Sequence, residues 1–440
     1  MLLYCLLLHG LVTIVRCNSL PSWNFPACWN TNRLLGNMNG INESESESDY
    51  DRIVVIGDIH GNYKGLIENL VKANLIYKNT INGCQWNKAM LSTVLLIQMG
   101  DIVDRGRFST KCYKCLKDLQ TTASFTNSYN SSIHIQNRVI RLLGNHELLW
   151  LSGDYTYHNT EYDTEELIQA LIREMLLDIK AGSLLGSFSI NPGSIPMLFS
   201  HAGARKTLVE SYNQLQLQLQ LQNISNPGVN SNANSNANQN SNSSVNASEL
   251  VRWINGIVRG SVVSCLSSTY IYEAMNSRGF PVACGYEHFQ HPIYSIGQER
   301  GGGPDQIGGV FWTDYSILSM EAEAEAETGT GTRPLGTETG GSGIGNDSTD
   351  RRTLPLQLSA LTSPSPSFDF IQIVGHKVPM HEIVSSPYLL ATCVDAGMVG
   401  GGRAYLEIDR HGRMVSHTKV TNADTGYKRW VEIDMSDKYC

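Results

Sequence analysis

Apolar runs that stop at a glycine recur along this chain, and each is followed by a residue that can bind a metal ion. The first run is RIVVIGDIHGN, residues 52–62, in which β-branched residues end at Gly57 and are followed by Asp58 and His60. Residues two apart in a strand point to the same face. If the extended backbone continues past Gly57, a carboxylate and an imidazole project side by side. This stretch alone fits either half of a metal site or an ordinary polar turn.

Four further apolar runs are also followed by such a residue, three of them after a glycine, and their composition predicts strands. Ligands of open α/β sheets bind outside the carboxyl ends of the strands, so we expect all five ends to meet in one crevice. The residues delivered there are Asp58, His60, Asp101 after STVLLIQMG, Asn145 after RVIRLLG, His201 after IPMLFS and His376 after FIQIVG.

Taken together, these residue types indicate which metal ions the site would bind. Carboxylate, imidazole and amide oxygen together suit Mn, Fe or Zn better than calcium, which takes oxygen ligands. Six donors are too many for one tetrahedral ion and suit two ions about 3.5–4 Å apart, with a carboxylate such as Asp101 between them. A single Gly-Asp after a strand is commonly a turn, and a single buried histidine commonly belongs to the core. Five such ends in order favour a dinuclear metal site.

A helical pattern lies between the third and fourth of these runs. In TEELIQALIREMLLDI, residues 164–179, apolar residues recur at helical spacing. The pattern predicts a helix whose core stripe has no function of its own and consists of Leu167, Ile168, Ala170, Leu171, Met175 and Leu176.

Two segments of low complexity predict unstructured insertions. Residues 214–248 contain QLQLQLQLQN and then an Asn/Ser repeat, and residues 321–367 contain EAEAEAETGTGT and a Gly/Ser/Thr stretch. Such sequences bury too little apolar surface to offset the entropy lost on ordering. Residues 18–48, which end in NESESESD, predict a polar lead-in.

The N-terminal sequence MLLYCLLLHGLVTIVRC, residues 1–17, is almost wholly apolar from Leu2 to Val15. This run is shorter than the roughly 20 residues of a membrane span, and it is similar to a secretory signal peptide cleaved near Cys17. Because no Lys or Arg precedes it, an uncleaved anchor or a misplaced start is the alternative. The signal peptide predicts the secretory pathway, or an extracellular or endomembrane location, and a mature chain without a membrane span.

Net charge limits the classes of partner, and cysteine content limits the chemistry that the cysteines can perform. A net charge of −8 and a pI near 5.8 argue against a nucleic-acid partner, whose binding surfaces are normally basic. Eight of the ten cysteines lie beyond residue 17, which permits disulfides without fixing their pairing. Cys112 and Cys115 form a lone C-x-x-C, which favours a disulfide or structural thiols over redox or zinc chemistry.

The motifs GDIHGN, GDIVDRG and GNHE, followed by SHAG and VGHK, resemble those of the phosphoprotein phosphatases of the calcineurin-like metallophosphoesterase superfamily. The resemblance extends from about residue 51 to 410, and the low-complexity insertions fall between motifs. Within the superfamily, VDAGMVGGGRAYLEI, residues 394–408, is similar to the end of the Shewanella-like phosphatases.

The resemblance implies a fold and a domain organisation. The expected fold is α/β, a four-layer sandwich in which two central mixed β-sheets are flanked by helices. One catalytic domain would occupy residues 49–415, with the two insertions inside it and a C-terminal tail at residues 416–440.

The resemblance also implies a role for each motif residue. One metal ion would be bound by Asp58, His60 and Asp101, and the other by Asp101, Asn145, His201 and His376. The cofactors would be two divalent or trivalent ions, and the family attacks phosphorus directly with a hydroxide held by the metals.

The remaining implied roles concern the substrate. Arg105 would hold a phosphate oxygen, and Asn145 would contact the substrate as well as a metal. His146, oriented by Asp104, would be the general acid that protonates the leaving group.

Two departures from the family pattern affect these roles. Lys377 follows His376 where the family usually has threonine. Relatives also use a second phosphate-binding arginine, but VFWTDY, residues 310–315, contains Thr313 and Asp314 instead. Arg300 and Arg403 are possible substitutes, and neither can be assigned.

The expected function is that of a metal-dependent protein phosphatase acting on phosphoserine, phosphothreonine or phosphotyrosine, with phosphoproteins as partners. One alternative is a small-molecule phosphatase or dinucleoside polyphosphate hydrolase with the same metals. Another is a binding protein that no longer turns over a substrate, against which the complete ligand set with Arg105 and His146 argues.

Overall fold

The apolar runs form β-strands in the computed structural model of this chain. The structure describes residues 44–45, 50–77, 84–87, 94–123, 125–126, 135–136, 138–159, 161–192, 196–225, 246–267, 284–296, 308–315, 318, 370–376, 384–386, 391–395, 398, 402–421 and 425–435. The strands are β1 (Ser44–Glu45), β2 (Arg52–Ile56), β3 (Val94–Gln98), β4 (Phe125–Thr126), β5 (Ile135–Gln136), β6 (Val139–Leu142), β7 (Leu184–Leu185), β8 (Ser187–Ile190), β9 (Met197–Ser200), β10 (Ile371–Val374), β11 (Val384–Ser386), β12 (Ala391–Cys393), β13 (Ala404–Asp409), β14 (Met414–Thr421) and β15 (Lys428–Asp434).

The helices of the described residues connect and cover these strands. They are α1 (Tyr63–Lys72), α2 (Ser109–Ala123), α3 (Asn145–Leu151), α4 (Glu165–Ala181), α5 (Lys206–Ser225) and α6 (Ala247–Ser267). None of them is long and apolar enough to cross a membrane.

The two large sheets are both mixed. The seven-stranded sheet has the order β15-β14-β13-β2-β3-β6-β7, in which β2, β3, β6 and β7 are parallel and β13 to β15 are antiparallel. The six-stranded sheet has the order β1-β8-β9-β10-β12-β11, with β9, β10 and β12 parallel. Strands β4 and β5 form a separate pair.

Alternation along the central strands creates the layers. In β3, Leu95 and Ile97 point into a core between the sheets, where Phe199 of β9 and Ile373 of β10 also lie. The other face of β3, including Leu96, packs into a larger core that contains the helices. Because both faces of the sheets are buried, the fold has helices outside two facing sheets, and the predicted α/β sandwich is confirmed.

Helix α4 confirms the predicted helical segment but shifts its buried face. Its core stripe includes Ile168, Leu171, Met175 and Leu176, as predicted, and continues through Ile172 and Ile179. Leu167, however, is 41% exposed, and Ala170 is exposed as well. These two residues were wrongly included because they lie beside the i, i+3, i+4 series that starts at Ile168.

The predicted C-terminal tail at residues 416–440 is wrong for most of its length. Strands β14 and β15 extend the seven-stranded sheet by antiparallel pairing with β13. The residues that β14 buries are mainly polar, among them Ser416, His417 and Thr418, so the strand lacks the apolar alternation by which strands are recognised.

The first low-complexity segment is also partly ordered. Helix α5 continues to Ser225, although an unstructured segment was predicted from residue 214, and α6 begins at Ala247. Leucine and glutamine are good helix formers. Their strict alternation creates no apolar helix face, so hydrophobic periodicity did not predict the helix. Residues 226–245, the insertion at 321–367 and the signal sequence at 1–17 lie outside the described residues, as does the lead-in apart from β1.

The described cysteines form two disulfides, Cys84–Cys115 and Cys265–Cys284. Cys112 is a buried free thiol, and burial raises its pKa. The C-x-x-C pair therefore supplies one disulfide partner and one structural thiol, as expected, and its two cysteines are not bonded to each other.

A buried ion pair ties β6 to α4. The Arg141 guanidinium is fully buried and donates to Asp178 Oδ2 at 2.9 Å and to Gln120 Oε1 at 2.8 and 3.0 Å. We expect Asp178→Ala to lower the free energy of unfolding by about 3–5 kcal/mol, because an uncompensated charge stays in the core. Urea denaturation followed by circular dichroism measures this loss.

Glu174→Ala is the matched control, since Glu174 lies one turn earlier on α4 and pairs with Lys117 at 2.7 Å while 41% exposed. Such exposed pairs contribute about 0–1 kcal/mol, so equal losses in the two variants would contradict the prediction. Burial alone would raise the pKa of Asp178, but Arg141 and its other partners lower it overall. Its contribution is therefore complete above the unfolded-state pKa and is lost as pH falls through the folded-state pKa.

Candidate metal centre

The carboxyl ends of five strands bring the six predicted ligands to one place. The seven-stranded sheet supplies ligands after β2, β3 and β6, and the six-stranded sheet supplies ligands after β9 and β10. Every one of these side chains is at most 4% exposed, and they are Asp58, His60, Asp101, Asn145, His201 and His376.

The backbone at this edge is tightly constrained. Gly100 has a φ of +94°, and a Cβ at this position would lie 2.7 Å from the Gly144 Cα, so the loops after β3 and β6 touch only because both carry glycine. Left-handed conformations also occur at His60, Asp101 and His376, with φ of 48°, 52° and 50°. Each costs about 1–3 kcal/mol, which is typical of functional sites.

The ligand atoms form two overlapping groups. One comprises Asp58, Asp101, His201 and His376, the other comprises His60, Asp101 and His146, and within each group the atoms lie within 4.8 Å of one another. Asp101 belongs to both groups, as a bridging carboxylate would. The grouping of Asp58 with His201 differs from the implied pairing with His60, whose Nε2 lies 3.9 Å from Asp58 Oδ2.

Two histidines are held in the form that binds metals. His201 Nδ1 donates to the Met99 carbonyl at 2.9 Å, and His60 Nδ1 donates to the Val103 carbonyl at 3.0 Å. Because the carbonyls only accept, each Nε2 turns a lone pair towards the centre. Burial lowers the pKa of His60 to about 3 and also lowers that of His201, which favours the neutral form of both imidazoles.

The donor set fits a cation. The end of the Asn145 amide lies between 2.9 and 3.2 Å from His201 Nε2, His376 Nδ1 and both Asp101 carboxylate oxygens. His201 Nε2 has a lone pair here, so several hydrogen-bond acceptors converge on one point. Without a cation, the amide nitrogen of Asn145 can donate to these acceptors; the same acceptors would also satisfy a bound cation, towards which Asn145 would turn its amide oxygen.

The two carboxylates respond differently to this environment. Burial, followed by Asp395 and Asp101, raises the pKa of Asp58 well above its usual value. Burial would also raise the pKa of Asp101, but the surrounding imidazoles, His201 foremost, lower it overall. A cation in the centre would reverse the shift at Asp58 and favour both charged forms.

The residues implied for substrate chemistry lie at one side of the ligands. His146 Nδ1 is 2.7 Å from Asp104 Oδ2, and Trp150 Nε1 donates to the other Asp104 oxygen. Arg105 is exposed, and its Nη2 lies 3.0 Å from His146 Nε2. Burial would lower the pKa of His146, but Asp101 and Asp104 raise it overall.

Sequence reasoning missed the part played by Glu147. The sequence assigned no role to this residue of GNHE, whereas its buried carboxylate accepts backbone N–H groups from the loops after β3 and β6. The donors are Asp101 at 2.9 Å, Ile102 at 2.8 Å, Val103 at 3.1 Å and Gly144 at 2.8 Å. Burial and then Asp101 raise the pKa of Glu147 to about 7.

Glu147→Gln should loosen the loop that carries Asp101. A glutamine amide has one accepting oxygen instead of two, and its NH2 group would face backbone N–H groups that now donate to the carboxylate. We expect metal affinity to fall by about 10–100-fold, as for other residues that orient ligands. Titration with Mn²⁺ measures the affinity. Glu161→Gln removes an exposed carboxylate nearby and is the control; an unchanged affinity in Glu147→Gln would contradict this role.

A sixth strand end was also missed. Asp395 follows β12, is 7% exposed and contributes to the raised pKa of Asp58. Its segment ATCVD repeats the pattern of an apolar run followed by aspartate, which could have identified it.

Arg403, one of the two candidates for a second phosphate-binding arginine, contacts other residues than those of the centre. Arg403 Nη1 donates to the Met398 and Gly402 carbonyls, and its Nε lies 3.4 Å from Glu68 of α1. Arg300 and Lys377 lie outside the described residues.

Comparison with known proteins agrees with this geometry. The family model described as calcineurin-like phosphoesterase matches residues 51–228. The chain is 38% identical over 108 residues to Shewanella-like protein phosphatase 1 of Plasmodium berghei, covering 24% of this chain and 25% of that protein. It is 27% identical over 107 residues to Shewanella-like protein phosphatase 2 of Arabidopsis thaliana, covering 24% and 23%.

An uncharacterized protein of Schizosaccharomyces pombe is 32% identical over 114 residues, covering 26% of this chain and 30% of that protein. The chain thus matches between 23% and 30% of the length of these curated relatives. Among solved structures, the cold-active protein-tyrosine phosphatase of a psychrophile Shewanella species is similar with a TM-score of 0.44 and 15% identity, over 94% of this chain and 87% of that chain.

The family match includes the strand ends that deliver Asp58, Asp101, Asn145 and His201. His376, which follows β10, lies outside the matched residues. The chain matches the calcineurin-like phosphoesterase family at residues 51–228 and is similar over 24% of its length to two Shewanella-like protein phosphatases.

Proposed function

We propose that this chain is a metal-dependent protein phosphatase that hydrolyses phosphoserine, phosphothreonine or phosphotyrosine monoesters. The observation that carries the proposal is the position of Arg105 and His146 beside the buried donor set that shares Asp101. A cation-binding cluster next to a guanidinium and an imidazole suits a phosphate dianion and its leaving group.

The residues of the donor set would hold two ions, since they form two groups of ligand atoms that share Asp101. When bound, such ions supply an activated water and polarise the phosphoryl oxygens. The neutral imidazoles and the amide of Asn145 suit Mn, Fe or Zn. We include all three metals in the proposal because these ligands do not discriminate among them.

Arg105 is the proposed phosphate clamp. Its guanidinium is exposed on the open side of the centre and contacts His146 Nε2. A guanidinium offers paired donors that match two phosphate oxygens. When a substrate binds, we propose that Arg105 turns from His146 to the phosphate and leaves Nε2 free to face the leaving oxygen.

His146 is the proposed general acid. Asp104 accepts from Nδ1 and is itself fixed by Trp150, so the imidazole is held with Nε2 towards the open side. Asp104 and Asp101 favour the protonated ring, whose Nε2 proton would pass to the leaving alkoxide or phenoxide.

Turnover by the purified full chain, with metal content measured on the same sample, tests the proposal. The substrates are phosphopeptides carrying each phosphoresidue, together with nucleotides and diadenosine tetraphosphate. We expect hydrolysis of at least one phosphopeptide class with about two metals per chain. Turnover confined to nucleotides or dinucleoside polyphosphates would replace the proposal by the small-molecule alternative. Metal binding without turnover would favour a binding protein.

We also propose that the chain folds in the secretory pathway. The disulfides Cys84–Cys115 and Cys265–Cys284 support an oxidising compartment. Mass spectrometry of the protein purified from the cells that produce it identifies the N-terminal residue and tests this proposal. A mature chain that begins near residue 18 is the expected result, and retention of residues 1–17 with reduced cysteines would contradict it.

A further inference from the structure

A tyrosine lies at the open side of the centre, where neither the motifs nor the family match assigns it a role. Tyr157 belongs to the connection between α3 and α4 and is 51% exposed. Its ring centroid lies 5.2 Å from that of His146, at an interplanar angle of 61°. The Arg105 guanidinium carbon lies 5.8 Å from the same ring.

The backbone holds this ring in place. The Tyr157 carbonyl accepts from the Arg105 N–H at 2.9 Å, and Arg105 itself has a left-handed φ of 59°. Just before the tyrosine, the Asp154 carboxylate accepts from both the backbone N–H and the hydroxyl of Thr156. The tyrosine is therefore attached to the same backbone turn that presents the phosphate clamp.

Exposure indicates where a substrate enters. His146 is 2% exposed, whereas its neighbours Arg105 and Tyr157 are both exposed. A phosphate held by Arg105, with its leaving oxygen at His146 Nε2, would place the first atoms of the leaving group beside the Tyr157 ring. The ring therefore borders the leaving group rather than the phosphate.

We propose that Tyr157 is a specificity-determining residue that contacts the leaving group and favours aryl phosphates, in this case phosphotyrosine, over alkyl phosphates. This inference rests on the proposed phosphatase function. Aromatic rings prefer offset or edge-to-face contacts with centroids about 4.5–7 Å apart. A phosphotyrosine ring is attached directly to the leaving oxygen and reaches this range, whereas the short chain of phosphoserine offers no ring.

Tyr157 could instead act only by positioning Arg105 or His146. Rates with phosphotyrosine and phosphoserine distinguish these two roles from a contact with the leaving group. If the ring only holds Arg105, its removal weakens every phosphomonoester equally, because all share the same dianion. If it only supports His146, its removal hurts phosphoserine more, because an alkoxide needs protonation more than a phenoxide. A contact with the leaving group hurts phosphotyrosine more.

The test is Tyr157→Ala on the full, metal-loaded chain, with two peptides that differ only in carrying phosphotyrosine or phosphoserine. We expect kcat/KM for phosphotyrosine to fall about fivefold to tenfold, chiefly through KM, with less than about a twofold change for phosphoserine. Tyr157→Phe should keep most of the phosphotyrosine activity, and Tyr157→Leu, which keeps apolar bulk without a ring, should not.

Two controls accompany these variants. Tyr162→Ala removes another exposed tyrosine of the same connection, whose hydroxyl contacts Arg107, and should leave both substrates unchanged. Inhibition by inorganic phosphate reports on Arg105 without any leaving group and should be the same in Tyr157→Ala and the unaltered chain.

Each contrary outcome is distinct. Equal losses for the two peptides with weaker phosphate inhibition would assign Tyr157 to Arg105, and a larger loss for phosphoserine would assign it to His146; either result overturns the inference. An unaltered chain that hydrolyses phosphoserine but not phosphotyrosine also overturns it and leaves the proposed function standing. An unaltered, metal-loaded chain that hydrolyses neither phosphotyrosine, phosphoserine nor phosphothreonine peptides would overturn the proposed function itself.

Discussion

Replacing Asp101 by asparagine should lower turnover by about 10³-fold or more and reduce the metal content of the chain. Asp101 belongs to both groups of candidate ligand atoms, so its substitution would remove the one carboxylate that both proposed metal ions would share. Each metal provides several kcal/mol of transition-state stabilisation, and about 1.36 kcal/mol corresponds to a tenfold change in rate.

The measurement combines metal analysis with steady-state rates on the same preparation. Asp51→Asn is the matched control, because Asp51 lies just before β2 and makes an exposed ion pair with Arg410 at 3.9 Å. Loss of such a pair changes stability by about 0–1 kcal/mol. Two bound metals and a near-normal rate in Asp101→Asn would refute the dinuclear assignment.

His146→Asn should slow the hydrolysis of phosphoserine by about 10²–10⁴-fold while both metals stay bound, since general acid catalysis is worth this much. For p-nitrophenyl phosphate the loss should be far smaller, because its leaving group has a low pKa and needs little protonation. This difference between the two substrates follows from the position of His146. Its side chain contacts Asp104 and Arg105, and it is the next residue after the predicted ligand Asn145.

Rates for the two leaving groups, with metal occupancy measured alongside, test this prediction. His411→Asn replaces an exposed histidine in the turn between β13 and β14 and should change neither rate. Equal losses for both substrates, or loss of metal, would assign His146 a packing role beside Asn145 instead of the acid role.

The ligand positions could be predicted from sequence because each depends on a local rule. A β-branched run, a glycine and a polar residue define a strand end, and the ends of parallel strands meet at one edge of a sheet. Asp395 after β12 fits the apolar run and the polar residue of this rule, although no glycine precedes it.

Residues whose important contacts are distant in sequence could not be predicted by a local sequence rule. Glu147 is bound to backbone groups of residues 101–103, more than 40 positions earlier in the chain. Tyr157 becomes relevant only because its carbonyl meets the Arg105 backbone. Neither contact has a sequence period, so the structure was required to find them.

Errors in the predicted elements have a related cause. Strand β14 buries small polar residues such as Ser416 within a sheet, and α5 alternates leucine and glutamine without forming an apolar face. In β14 tertiary context overrides the hydrophobic pattern from which secondary structure is predicted, whereas in α5 the helix propensity of leucine and glutamine forms a helix without such a pattern.

The assembly of the centre from both sheets has a consequence for the order of folding. The His376 backbone N–H donates to Asp58 Oδ1 at 3.2 Å across a sequence separation of 318 residues. Contacts this distant form slowly, because the entropy of closing the loop must be overcome before the contact stabilises anything. The donor set is therefore complete only after β2 and β10 have joined their sheets and the sheets have packed. We therefore expect a cation to bind late in folding, after the two sheets have packed, and to stabilise the packed sheets by binding the folded but not the unfolded chain.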